Sequence, residues 1–471
     1  MLLRERFEIT RPLEEMESAL VRASEAQPDL LNPMDEAVLR TALSLARLYK
    51  VRHEGRDVGM GAFLAPFRED VTYRLKPLLL GKRPPAREAL LPHIRDLREE
   101  TLRTRDRLLR RMKDRVPAEA IHRELRQKSL VIVAGGGGGT GYVYLGVMDL
   151  LEEFGVKPSL LAGTSIGAIL SLFRSRMPHF NHTEMVNIVR GLTWKKLFRA
   201  ISTDSRYGVP GAMRLLLRAG VGRYFDAGPE GGTGLRLRDL PIPVILSVSG
   251  VRRGMLPHPL DFYAKLVSFA PRQVLNPAAL ARQAQRAVSA LGEFYLRPEI
   301  MVKLHLGADS ETREFDALDA AGFSCALPGV IHYDVMRDDP RMRGMLDALF
   351  TQKRLGALID GGLVDNLPAR AAWRAVHKGT IGTRNAFILA LNGFATRITT
   401  PLWLPLQRLA ETNVAGNRPY AHLVLDFKRT LSPIELVPNV EQTTLAIRMG
   451  REQLKPHVPF LTRMLAPLPM L

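Results

Sequence analysis

Five consecutive glycines, Gly135 to Gly139, follow directly on the apolar run Leu130-Val131-Ile132-Val133-Ala134. That run is short and rich in β-branched residues, the composition of a strand buried on both faces of a parallel sheet. Thr140 and Gly141 come next, then a helical pattern from about Tyr142 to Phe154, with Val147, Leu150, Leu151 and Phe154 on one face and Gly155 suited to end it. A second strand, Leu160-Leu161-Ala162, leads into Gly163-Thr164-Ser165-Ile166-Gly167 and a second helix, Ile166 to Arg176, stopped by Pro178. Strand, glycine loop, helix, strand, tight turn, helix is an order few folds accommodate. It predicts a three-layer α/β/α fold around a mainly parallel central sheet. Further strands are expected at Val244 to Val248, Met301 to Leu306, Gly356 to Ile359, Ala386 to Leu391 and His422 to Phe427.

Three uses compete for the glycine loop. A phosphate-cradling Walker A loop ends in Gly-Lys-Ser/Thr, whereas this one ends Gly-Thr-Gly-Tyr. A dinucleotide fingerprint fits Gly136, Gly138 and Gly141, but it expects an acidic ribose anchor about 20 residues on. Gly163-Thr164-Ser165 stands there instead. An oxyanion hole needs only backbone N–H groups converging near a nucleophile, each donor worth roughly 3 to 4 kcal/mol to the transition state. The sequence supplies that nucleophile. In Gly163-x-Ser165-x-Gly167 a sharp strand-to-helix turn lifts the serine hydroxyl above the sheet, and the small flanking residues let strand and helix approach.

A serine needs a proton acceptor. His332, His377, His422 and His457 follow it, none in a segment with a catalytic signature. Asp360 ends the apolar strand Ala357-Leu358-Ile359 and precedes Gly361-Gly362, at the sheet edge where α/β folds gather their sites. It is the better base, although an Asp-Gly turn is also common for purely structural reasons.

The rest of the chain is accessory to this core. Residues 1–125 read as a helical region, with apolar positions at helical spacing from Asp35 to Tyr49 and a highly charged helix from His93 to Arg115. Acids interleaved with its arginines favour a solvated helix with a narrow packed stripe over a membrane-surface helix. The catalytic part is expected over 126–400, with an Arg-, Gly- and Pro-rich insertion at about 180–297 that could form a lid or substrate wall. Residues 401–471 read as a C-terminal extension with one helix near Gln442 to Gln453.

Of 471 residues, 46% are hydrophobic and the formal net charge is +19. That charge attracts polyanions, so anionic membrane surfaces and nucleic acid both come into question. No aromatic-flanked basic stripe or zinc-finger spacing supports nucleic acid. Cys325 is the single cysteine, which excludes intramolecular disulfides and cysteine-cluster metal sites and fits a reducing compartment. The N-terminal residues lack the apolar core of a secretory signal, and no run is long enough to span a bilayer. A cytoplasmic protein with peripheral membrane contact is the expectation, with neither cofactor nor metal.

Taken together, Gly136-Gly137-Gly138-Gly139-Thr140-Gly141, Gly163 to Gly167 and Asp360-Gly361-Gly362 resemble the patatin-like phospholipase family. The family pattern is Gly-Gly-Gly-x-Arg/Lys-Gly, Gly-x-Ser-x-Gly and Asp-Gly-Gly/Ala, in that order. Phe323-Ser324-Cys325-Ala326-Leu327-Pro328-Gly329 looks like its Ala-Ser-x-Ala-x-Pro segment, and Asp365-Asn366-Leu367-Pro368 like its Asp-Asn-x-Pro tail. The resemblance covers roughly residues 129 to 370. It implies a Ser165–Asp360 dyad without histidine, an oxyanion hole from the loop containing Gly136, Gly137, Gly138 and Gly141, and motif support from Gly163, Gly167, Gly361 and Gly362. The implied reaction is hydrolysis of fatty acyl esters of phospholipids or other acyl lipids through an acyl-serine. Thr140 departs from the family's basic residue. The alternatives are a catalytically silent lipid- or dinucleotide-binding protein and a Ser-His-Asp esterase on the same scaffold.

Overall fold

The computed structural model describes residues 3–200, 205–226, 234–256, 262, 297–395 and 404–471. They form two compact units. One comprises Met1–Val131, Trp373–Ile388 and Pro456–Leu471; the other Ile132–Ala372 and Leu389–Lys455. The residues expected as one C-terminal extension are thus divided between the two units.

The first unit is mainly helical. Its helices are α1 (Leu3–Ala26), α2 (Pro33–Arg47), α3 (Gly61–Leu79), α4 (Arg87–Met112) and α5 (Ala118–Arg126), with a hairpin of β1 (Lys50–His53) and β2 (Arg56–Gly59). The start of α2 is written locally. Asn32 Oδ1 accepts the Asp35 N–H at 2.8 Å, and Pro33 occupies a first-turn position that needs no donor. Leu13, Met16 and Leu20 of α1 pack with Leu39, Leu43 and Ala46 of α2 and with Leu64, Val71 and Leu75 of α3. On α4 the stripe Leu90, Ile94, Leu97 and Leu108 is buried in the same core while Arg95, Arg98 and Arg103 face solvent. Each fully buried aliphatic side chain contributes about 1.5–3 kcal/mol.

The second unit holds most of a seven-stranded, mainly parallel sheet with helices packed on it. Its strands are β3 (Ser129–Ala134), β4 (Pro158–Thr164), β7 (Val244–Arg252), β8 (Met301–Leu306), β10 (Leu355–Asp360), β11 (Ala386–Asn392) and β12 (Leu423–Asp426). These are the seven apolar runs that the sequence marked as strands. A small sheet of β5 (Phe198–Ala200), β6 (Gly211–Leu215) and β9 (Gly329–His332) was not expected. It lies partly within the segment 180–297, of which 201–204, 227–233, 257–261 and 263–296 fall outside the described residues.

The order is β10-β7-β4-β3-β11-β12, with β8 also on β7. Strand β7 carries the feature that matters for function. Its first residues, Val244 to Ser247, pair in parallel with Leu161 to Thr164 of β4. The following residues, Val248 to Arg252, pair antiparallel with β10, so that Asp360 stands opposite Val248. Strands β4 and β10 therefore share β7 end to end. Their C-terminal residues, Thr164 and Asp360, arrive opposite the adjacent positions Ser247 and Val248.

Candidate active site

Ser165 follows Thr164 and opens α7 (Ile166–Arg176). Its backbone lies at φ 54°, ψ −125°, in the left-handed half of conformational space that a side chain rarely adopts. Such a residue costs about 1–3 kcal/mol and persists only where its surroundings enforce it. Here they do. A Cβ on Gly163 would lie 2.5 Å from Gly167 O, and one on Gly167 would lie 2.2 Å from Ala134 O. Strand and helix are in contact at the turn, and only glycine fits at either position. The Ser165 N–H donates to Ser324 Oγ at 2.9 Å, and the Ser324 hydroxyl donates onward to Ser247 O at 2.7 Å. Ser324 ends the buried helix Ala317–Ser324 and is fully inaccessible.

Asp360, 7% exposed, meets Ser165 across the end-to-end junction of β4 and β10. Its carboxylate accepts the Gly362 N–H at 2.6 Å, and the Ser165 hydroxyl lies near enough to act on its charge. Burial pushes its pKa up to about 6, and the Gly362 N–H, followed by the nearby Ser165 hydroxyl, opposes the rise without cancelling it. The backbone is fixed on both sides: Asp360 N–H donates to Ala326 O at 2.7 Å, and Ser249 Oγ to Asp360 O at 2.7 Å. A Cβ on Gly361 would lie 2.1 Å from Ser247 O. Cys325 lines the same cavity as Ser165, and burial, followed by the Asp360 charge, holds its thiol well above its usual range.

The glycine loop divides by role. Gly136 N–H donates to Asn366 O at 3.2 Å and Gly139 N–H to Pro433 O at 3.0 Å. Among the described residues the N–H groups of Gly137 and Gly138 have no acceptor, and these are the two loop glycines partly open to solvent. Both have positive φ, 139° and 58°. Gly141 serves packing, since a Cβ there would lie 2.5 Å from Ile166 Cγ2. Thr140 is fully buried and its hydroxyl donates to Gly137 O at 2.9 Å, closing the loop on itself.

Two supports were not legible in the sequence. The segment Ser432–Leu436 backs the loop: Pro433 O takes the Gly139 N–H, and Leu436 O takes the Tyr142 hydroxyl at 3.0 Å. Behind the serine turn, Thr164 Oγ1 donates to Asp365 O at 2.9 Å. The Asp365 carboxylate is paired with His305 Nε2 at 2.7 Å and Asn417 Nδ2 at 2.7 Å. Burial alone would raise its pKa; His305, Lys303 and Asn417 hold it below the usual range.

None of the four histidines weighed as bases is a hydrogen-bond partner of Ser165 among the described residues. His332 Nδ1 lies 3.0 Å from Val209 O, and His377 and His457 belong to the helical unit. Nor is any group of three or more His, Cys, Asp and Glu side chains there placed to hold a metal ion.

From Ser165 a narrow cavity of about 90 Å³ runs between apolar side chains, among them Ile169, Phe173, Ile188, Leu197, Leu215 and Leu217. Ser165, Gly138 and Cys325 form its polar end. A larger surface cleft of about 770 Å³ lies elsewhere in the unit, and several of its charges are paired. Arg451 pairs with Asp149 and Glu153, and His182 with Asp149 at 2.6 Å. Ser165 lines the smaller cavity and not this cleft.

A strained serine at a helix start, a buried carboxylate beside it and two unpaired N–H groups near an apolar cavity are the parts acyl transfer requires. A family model described as patatin-like phospholipase matches residues 132–373, from β3 into the helix Ala369–Lys378. No curated protein matches the chain.

Proposed function

The chain belongs to the patatin-like phospholipase family, a family of lipid acyl hydrolases, and on that premise we propose that it cleaves single fatty acyl esters with a Ser165–Asp360 dyad. The observation that carries the reading is the placement of the strained Ser165, at the mouth of an apolar cavity, beside the buried Asp360 carboxylate, where β4 and β10 end opposite adjacent residues of β7.

In this mechanism the acyl chain lies along Ile169, Phe173 and Leu217, and its ester carbonyl comes to rest over Ser165. Asp360 takes the hydroxyl proton as Ser165 Oγ attacks. The tetrahedral oxyanion is held by the N–H groups of Gly137 and Gly138; the Gly136 N–H is already committed to Asn366 O. Collapse expels the alcohol, which takes the proton from Asp360. Water then attacks the acyl-serine by the reverse path. A carboxylate with a pKa near 6 suits this exchange, being ionised at neutral pH yet more basic than a solvated aspartate. A cavity this narrow fits one acyl chain, as in phospholipids, lysophospholipids or acylglycerols. Docking to an anionic membrane surface is part of the same reading, motivated by the net charge of +19.

Labelling with a fluorophosphonate tests the assignment. The wild-type chain is expected to be labelled and to hydrolyse p-nitrophenyl esters. Ser165→Ala should lose both, and Asp360→Asn should lose hydrolysis. Retained hydrolysis in Asp360→Asn would remove the aspartate as base.

A further inference from the structure

We propose that the tip of the α3–α4 hairpin is a docking surface for anionic lipid bilayers. Helix α3 ends at Leu79, α4 begins at Arg87, and the connection is Leu80-Gly81-Lys82-Arg83-Pro84-Pro85-Ala86. The inward faces of both helices are accounted for, since Leu75, Leu79, Leu90 and Ile94 lie in the helical unit's core. The outward faces carry large apolar side chains that this core does not use.

On α3, Tyr73, Lys76, Pro77 and Leu80 recur at the spacing that puts them on one face, and all are exposed. Tyr73 is 83% exposed and Leu80 36%. On α4, Arg87, Leu91 and Arg95 are spaced by four and exposed, with Leu91 at 41%. An isolated exposed leucine needs no explanation, but three apolar anchors bracketing one loop tip do.

Their charged neighbours indicate the partner. From Lys76 to Asp96 the chain has five cations, Lys76, Lys82, Arg83, Arg87 and Arg95, against two acids, Glu88 and Asp96, a net charge of +3. Among the described residues Lys76, Lys82, Arg83 and Arg95 have no ion-pair partner, and all four are exposed. By contrast, Arg74, one turn deeper, is spent on Asp70 at 2.9 Å and Glu100 at 3.4 Å. Apolar and aromatic anchors at a tip ringed by free cations match a bilayer interface: tyrosine and leucine enter the headgroup boundary, and lysine and arginine meet the lipid phosphates. Folded nucleic acid would use the cations but leave Leu80 and Leu91 in water. The choice of a bilayer rests in part on the lipid hydrolase reading above.

Vesicle co-sedimentation of the full chain tests this, with Ser165→Ala as the background so that hydrolysis plays no part. The vesicles are phosphatidylcholine alone, or phosphatidylcholine and phosphatidylglycerol at two to one. Binding is expected only to the mixed vesicles and to fall with salt. Lys82→Gln/Arg83→Gln should weaken it by roughly fivefold per cation, about 25-fold together. Tyr73→Ser/Leu91→Ser should remove the residual binding at high salt. Hydrolysis of a soluble short-chain ester, measured on the Ser165 chain, should be unchanged by either pair. If both pairs bind mixed vesicles like the parent, the tip is not the docking surface. If they lose affinity for a single-stranded oligonucleotide but not for vesicles, the partner is nucleic acid and the proposal fails. Hydrolysis surviving in Ser165→Ala would overturn the dyad alone and leave the docking result standing.

Discussion

The backbone N–H of Ser165 donates to the hydroxyl of Ser324 at 2.9 Å, and that hydroxyl donates to Ser247 O. One side chain thus ties the strained turn to β7, the strand that also positions Asp360. Ser324→Ala leaves a buried N–H and a buried carbonyl without their partner, at a cost of about 1–3 kcal/mol. The turn should relax, because a left-handed serine survives only under enforcement. The expected result is a fall in kcat of one to two orders of magnitude with KM little changed, and a lowered melting temperature. Wild-type kcat in Ser324→Ala would show that the turn holds itself.

Thr140 stands where the family carries a basic residue, and its hydroxyl closes the loop by donating to Gly137 O. Thr140→Val keeps the shape and removes the donor. Gly137 then rests on the longer Thr140 N–H bond at 3.3 Å, and the two unpaired loop N–H groups lose their aim. Steady-state kinetics should register roughly a tenfold loss in kcat, equivalent to about 1.4 kcal/mol. Thr140→Lys should not raise activity, because the position is fully buried and a lone ammonium there is costly. An activity gain in Thr140→Lys would mean that the loop rearranges to admit a cation.

The local grammar of the chain made much of this legible. Apolar β-branched runs bounded by glycine located all seven strands of the main sheet, and the strand–turn–helix around Ser165 falls where its spacing put it. What stayed hidden depends on residues far apart in sequence. No periodicity links Pro433 to Gly139, so a segment read as an extension proves to back the glycine loop. His305 was not singled out, because a histidine in a strand carries no sign that Asp365 lies 2.7 Å away. The antiparallel approach of β10 to β7 was equally invisible, since a buried strand reads alike in either direction. That approach is what brings Asp360 to Ser165.

The cavity beyond Ser165 is bounded on one side by Leu215 of β6. Leu215→Trp fills part of it while keeping it apolar, at an overpacking cost of about 1–3 kcal/mol. Each methylene excluded from the cavity forfeits about 0.8 kcal/mol, so displacing two should lower kcat/KM about tenfold. Long acyl chains should suffer and short ones should not. A series of p-nitrophenyl esters from butyrate to palmitate reads this directly as a shifted chain-length profile. An equal loss at every length would place the acyl chain elsewhere.

Asp360 couples activity to pH and to stability in opposite directions. In the proposed dyad its carboxyl, raised from 3.8 to about 6 by burial, must be ionised to accept the Ser165 proton. The value of kcat/KM should therefore climb about tenfold per pH unit below 6 and level off above it. The stability sign follows from the same shift. The folded state binds this proton more tightly than the unfolded chain does, so ionisation destabilises the fold as pH rises from about 4 through 6. At 1.36 kcal/mol per unit the penalty above pH 7 is about 3 kcal/mol. Asp360→Asn keeps an oxygen for the Gly362 N–H, carries no charge and should be the more stable protein at pH 8. That advantage should vanish near pH 3, below both values, where Asp360 is protonated in both states. Thermal unfolding of the two proteins at both pH values reads the difference. An Asn variant no more stable at pH 8 would mean that the Asp360 carboxylate carries no net burial penalty, and the rise in activity should then fall well below pH 6.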